Sequence, residues 1–121
     1  MTRRPSSYLD LLLAPALRPH PQAAWRPAAD VYRCDHGWLL KFDLAGVREE
    51  DIQICVAGSS VTVSGTRRDW RIYDRQEAHL MEIAYSHFER SVQLPDDLGQ
   101  ATVRTEYRDG MLLVHVTPAQ P

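Results

Sequence analysis

The sequence predicts an all-β domain behind a short N-terminal arm, and three observations carry the prediction. Short stretches of alternating apolar and polar residues follow one another from Asp30 to Val116, the period-2 pattern of half-buried strands. Turn signals built on Gly, Asp and Pro separate them. No stretch in that span shows a helical period, so the apolar rows have only other strands to pack against.

The first strand runs from Asp30 to Cys34 and closes at Asp35-His36-Gly37. In the second, Trp38, Leu40 and Phe42 alternate with Leu39, Lys41 and Asp43, and the strand ends at Leu44-Ala45-Gly46. A charged turn, Val47 to Asp51, delivers Ile52, Ile54 and Val56 on one face of a third. Gly58 turns the chain into a fourth, with Val61 and Val63 inward and Gly65 at its close, so this pair is a hairpin. From Tyr85 to Pro95, Phe88, Arg90, Val92 and Leu94 share one side and His87, Glu89, Ser91 and Gln93 the other. Arg90 therefore stands in an apolar row. It must reach an acidic partner or open onto an interface, because an unpaired buried guanidinium is costly. Thr105 to Val114 reads as strand, turn, strand, with Asp109-Gly110 as the two-residue hairpin signal.

Between Thr66 and Ala84 lies a connection too long for a hairpin. Trp70, Ile72 and Tyr73 suggest a short extra strand within it, and Arg67, Arg68, Asp69, Arg71, Asp74, Arg75 and Glu77 predict that it projects into solvent.

At the N-terminus, Arg3 and Arg4 precede Leu11-Leu12-Leu13-Ala14, but Asp10 and Pro15 bound that run. Nothing approaches the roughly 18 to 20 apolar residues that span a bilayer, so no membrane partner is expected and a cytoplasmic location is. From Ser6 or Ser7 to Ala14, the positions of Tyr8, Leu9, Leu12 and Leu13 suit a short amphipathic helix. It is too short to hold in water alone, so it orders only where its leucines meet apolar surface. A frayed tail, a helix on its own core and a sticky arm all remain open at this point. Pro15, Pro19, Pro21 and Pro27 make the following linker extended and poorly packed. The domain boundary falls near Trp25 to Ala29. The expected organisation is arm and linker at 1–27, folded domain at 28–118 and a vestigial tail at 119–121.

Composition excludes several function classes. The chain has 121 residues, 44% hydrophobic and 25% charged, with a formal net charge of −2, so one domain with a real core fits and a nucleic-acid partner does not. Cys34 and Cys55 are too few for a disulfide scaffold and are read as free, small, mostly buried residues in a reducing compartment. His20, His36, His79, His87 and His115 lack metal-ligand or acid–base spacing. Glu49-Glu50-Asp51 reads as a solvated turn. Gly58, Gly65, Gly99 and Gly110 are isolated, so no phosphate loop is present. No catalytic residue, metal or cofactor is expected.

Three segments carry a resemblance. Phe88, Arg90, Leu94 and Pro95 match F-x-R-x-x-x-L-P. Gly110 and Leu112 match A-x-x-x-N-G-V-L, with Thr105, Asp109 and Met111 in place of Ala, Asn and Val. Asp43 to Ile52 follows D-L-P-G-v-x-x-e-D-i, with Ala45 in place of proline. Together they resemble the alpha-crystallin domain of bacterial and plant small heat-shock proteins, over roughly Pro27 to Pro118. At Ser86 many of these relatives have Gly. The resemblance implies an immunoglobulin-like antiparallel β-sandwich and an ATP-independent holdase that binds partly unfolded client proteins through exposed apolar surface. The client-binding residues it suggests are Tyr8, Leu9, Leu11, Leu12, Leu13 and Leu17 of the arm, together with Ile52, Ile54, Val56 and, across from them, Val103. These last four would line the groove that the family forms between its fourth and eighth strands.

The resemblance also implies a homodimer made by strand exchange, in which Arg71 to Tyr73 pairs with Asp30 to Arg33 of the other subunit. Its interface would comprise Val31, Tyr32, Arg33, Trp70, Arg71, Ile72, Tyr73 and Arg90, the last through ion pairing. Residues 117 to 121 carry no I-x-I plug, and Val114-x-Val116 lies inside the last strand. The expectation is therefore a dimer or small oligomer, its groove open to clients or to the tail of another small heat-shock protein. Two alternatives stay beside this reading: a CS-domain co-chaperone, which lacks the hairpin signature after F-x-R-x-x-x-L-P, and an interaction module or adaptor co-assembling with a longer family member.

Overall fold

Alternation resolves into two antiparallel sheets that share one core. The computed structural model describes residues 23–119. Seven strands run through them: β1 (Ala29–Cys34), β2 (Gly37–Asp43), β3 (Ile52–Ala57), β4 (Ser60–Arg67), β5 (Ser86–Gln93), β6 (Thr102–Arg108) and β7 (Met111–Thr117). One sheet has the order β1-β2-β7-β6 and the other β3-β4-β5. Leu40, Phe42, Leu112, Val114 and Val116 of the first face Val61, Val63 and Phe88 of the second, all buried. The rows expected to point inward do so. Leu44, Val47, Leu94 and Leu98, from the connections, close the ends of this core.

Turn chemistry sets the hairpins. Asp109 (φ 53°) and Gly110 (φ 77°) are both left-handed, the geometry a two-residue turn needs to match strand twist. Ser86, the first residue of β5, is also left-handed at φ 79°, and Trp25 Nε1 donates to its carbonyl at 3.1 Å. An L side chain is strained there, where glycine would not be. Replacing Ser86 with Gly relieves strain but frees the unfolded chain, so the expected net gain is about 0.5 kcal/mol. A denaturation midpoint that stays put or falls in Ser86→Gly contradicts it.

Three expectations need correction. Cys34 and Cys55 are exposed: Cys34 ends an edge strand, and Cys55 points outward because Ile54 and Val56 take the inner face of β3. The end of the linker is packed rather than loose. Ala24 N donates to His87 O (2.8 Å), Glu89 N donates to Trp25 O (3.3 Å), the Trp25 and Phe88 rings lie 5.1 Å apart, and Pro27 is fully buried. Finally, residues 71–73 form no strand in the single chain.

The packed linker also orients the sandwich. It covers the outer edge of β5 and leads straight into β1, with Asp43 N donating to Ala28 O at 3.0 Å, so β5 lies on the β1 side. The opposite edges, β3 and β6, are left side by side.

Candidate functional site

Sheet edges expose backbone donors and acceptors that a further strand can satisfy. Among the described residues, β1, β3 and β6 each have one edge with no strand partner. Ile52, Ile54 and Val56 are half-buried and pack against the core from the β3 edge. On β6, Val103 pairs with Val116 of β7 and so shares its inward face, yet remains 37% exposed. The four groove residues expected from the sequence thus occupy the inner faces of two neighbouring open edges. Tyr8, Leu9, Leu11, Leu12, Leu13 and Leu17 lie outside the described residues.

Tyr107 closes one end of this region. Its hydroxyl sits 2.7 Å from both the Leu44 and Val47 carbonyls, sharing its proton between them. Burial pushes its pKa up. The β2–β3 connection is thereby tied to the inner face of β6. Nothing in the local pattern marked Tyr107 for this role, since its partners lie some sixty residues away.

The second region combines the β1 edge with the long loop after β4. Val31, Tyr32 and Arg33 are all exposed on β1. Arg33 stacks on Trp38 at 4.3 Å, and Lys41 sits 5.2 Å over the Tyr32 ring. Trp70, Ile72 and Tyr73 are 59% to 73% exposed. Leu80, Met81 and Ile83, which the sequence reading passed over, are nearly as bare, so among the described residues six of the nine large exposed apolar side chains sit in this one loop. Their signal was an apolar group, Leu80-Met81-Glu82-Ile83, inside an otherwise charged connection. Large apolar surface clustered on one loop marks an interaction site.

Within the loop, Ile72 N and Tyr73 N both donate to Gln76 Oε1 (2.9 and 3.1 Å), and Gln76 Nε2 donates to Trp70 O at 3.4 Å. Arg71 donates to Asp74 O at 3.2 Å. A side-chain amide thus satisfies the backbone N–H groups of Ile72 and Tyr73, and no strand forms there. No hydrogen bond joins the loop to β1 of the same chain among the described residues.

Charged side chains fasten the loop at its base. The loop projects into solvent as expected, but Arg67, one of the charges at its base, turns back onto the domain. Its Nε donates to Ala45 O (3.0 Å), its Nη1 to Ala84 O (2.9 Å), and its guanidinium lies 4.2 Å over the Trp25 ring. Arg68 holds Asp51 in a bidentate pair at 3.0 and 3.1 Å. The Arg68 guanidinium keeps the Asp51 carboxyl below its ordinary value. A depressed folded pKa adds stability above the unfolded value, near pH 4, and loses it as pH falls through the folded value. Asp51→Asn should therefore melt below the wild type at pH 7, with the gap closing toward pH 3; a gap that persists at low pH contradicts the pairing.

Arg90 reaches no carboxylate among the described residues. It lies on the inner face of β5, and its Nη1 donates to Pro27 O at 3.1 Å. Its Nε is buried without a hydrogen-bond partner. Within one chain its bond thus goes to the packed linker rather than to a carboxylate. Elsewhere, Glu106 accepts from His115 at 3.0 Å, which lowers the Glu106 pKa, a contact on the solvent face of β6 and β7. No group of His, Cys, Asp and Glu is placed to hold a metal ion, and no helix is long and apolar enough to cross a membrane, among the described residues.

Comparison with known proteins gives this geometry its context. The model of the Hsp20/alpha crystallin family matches residues 30–121. Spore protein SP21 of Stigmatella aurantiaca is 30% identical over 98 residues, 81% of this chain and 57% of that protein. Small heat shock protein C2 of Rickettsia felis is 26% identical over 91 residues, 75% of this chain and 58% of that protein. The chain thus spans under three-fifths of the length of these relatives. Among solved structures, heat shock protein 16.0 from Schizosaccharomyces pombe superposes with a TM-score of 0.70 at 20% identity, covering 80% of this chain and 93% of that one. HSP18.5 from E. histolytica gives 0.65 at 25% identity, covering 79% and 90%. With two antiparallel sheets, the F-x-R-x-x-x-L-P strand on β5 and the Asp109-Gly110 hairpin in place, the chain belongs to the Hsp20/alpha crystallin family.

Proposed function

We propose that this protein is an ATP-independent holdase, which captures partly unfolded proteins on the open β3 and β6 edges and on the leucines of its arm. The carrying observation is the pairing of two unsatisfied strand edges with the apolar row Ile52, Ile54, Val56 and Val103. Such a surface can add an extended client segment by backbone hydrogen bonding while pockets take its alternate side chains. Aggregation proceeds through the same exposed apolar surface and open edges, so a protein that occupies them interrupts it without chemistry.

The working unit under this reading is a homodimer. Residues 71–73 of one subunit leave Gln76 and pair with β1 of the other, hiding two edges at once. The buried Arg90 Nε then has an acceptor to find on the partner's side. The reading is tested by light scattering of a heat-labile client mixed with the protein at increasing ratios, with and without nucleotide. Suppression that saturates near stoichiometric amounts and ignores ATP is expected. Unchanged client aggregation at excess protein overturns the holdase and favours an assembly module.

A further inference from the structure

The chain upstream of Trp25 leaves the sandwich at a defined place. Trp25 is bridged to Phe88 in the parallel sense, and Ala24 N donates to His87 O at 2.8 Å. In a parallel pairing both chains advance together. Stepping back from Ala24 to Ala23 therefore moves alongside Ser86, toward the base of the long loop.

An open cavity of about 510 Å³ lies there, walled by Trp70, Ile72, Ile83 and Tyr85, with Arg67 and the Ala45–Gly46 turn. Its volume is in the range that takes several apolar groups, and three of its walls are the exposed side chains Trp70, Ile72 and Ile83. Arg67 fixes the arrangement. One guanidinium holds the turn through Ala45 O, the end of the loop through Ala84 O and the exit of the arm through the Trp25 ring.

The arm supplies a matching occupant. Residues 11–17 read Leu-Leu-Leu-Ala-Pro-Ala-Leu. Leu17 is six residues from Ala23 and Leu13 ten, reaches of up to about 20 and 35 Å. The intervening Pro19 and Pro21 favour an extended path.

We infer that residues 11–17 dock in this cavity of their own chain, with their leucines against Ile72, Ile83 and Tyr85. The inference stands on chain direction and cavity chemistry and does not rest on the holdase reading. Docking places the arm on a wall made by the same loop that carries Ile72, so the position of the arm and that of the loop are linked.

Disulfide trapping in the full chain tests it, with Cys34 and Cys55 replaced by Ser. Leu13→Cys is paired in turn with Ile83→Cys at the cavity, Val103→Cys at the β6 edge, and Gln53→Cys on the solvent face of β3. All three partner positions are exposed, so the core is not disturbed. Leu13→Cys with Ile83→Cys should cross-link faster than either other pair by about tenfold or more, the advantage of a tethered, docked segment. Mixing protomers of two masses should give cross-links within one chain. Fastest trapping at Val103→Cys would mean the arm covers the groove instead, equal rates at all three would mean it docks nowhere, and cross-links between chains would assign the cavity to a second copy. Each of these overturns the inference.

Discussion

Replacing Gly65 with Ala is expected to destabilise the domain by about 3 kcal/mol or more, a fall in melting temperature of roughly 12 °C or beyond for a domain of this size. Gly65 lies on β4 opposite Phe88 of β5. A methyl group built there would stand 2.0 Å from the Asp51 carbonyl oxygen and 2.8 Å from the Phe88 ring. Neither neighbour can yield cheaply. Asp51 belongs to the 3-10 turn that delivers β3 and is pinned by Arg68. Phe88 is fully buried and packs on Trp25. The added carbon must therefore push apart the start of β3 and the packed linker together. Thermal unfolding followed by circular dichroism reads the effect, and a Gly65→Ala protein melting within a few degrees of the wild type contradicts the packing described.

The second large effect is functional. Val103→Asp combined with Ile54→Thr should raise the amount of protein needed to protect a heated client by about tenfold, equivalent to about 1.4 kcal/mol of lost binding. A carboxylate on the inner face of β6 must be desolvated by any apolar segment that enters the groove. Ile54→Thr removes apolar contact from the facing edge while keeping a β-branched strand residue. Both positions retain solvent access, so the domain itself should remain folded, as its melting curve would report. Unchanged protection by a folded double variant removes the groove from the account.

The fold was legible because its determinants are local. Leu40 with Phe42, Val61 with Val63, and Leu112 with Val114 announce their inward faces by period alone, and Asp109-Gly110 announces its turn by backbone chemistry. The inward face of β3, Ile52, Ile54 and Val56, was legible for the same reason. What sequence reading missed depends on contacts between distant segments. Trp25 reads as linker among prolines, yet it packs on Phe88 and under Arg67. Arg67 reads as one more solvent-facing charge, yet it joins residues 22 positions before and 17 after it. Arg90 was rightly placed in an apolar row, but periodicity carries no information about whether a carboxylate or a carbonyl will meet it. The strand expected at Trp70, Ile72 and Tyr73 failed for a different reason: Gln76, a few residues on, takes the backbone groups of Ile72 and Tyr73 locally.

The most direct test of the account is where a client lands. A photoreactive residue at Val103 on the β6 edge is compared with one at Gln53, on the solvent face of β3, during heating with a client. Client cross-links at position 103 are expected to exceed those at 53 and to disappear when Ile54→Thr is added. Equal cross-linking at both positions, or none at 103 while the client stays soluble, would contradict it.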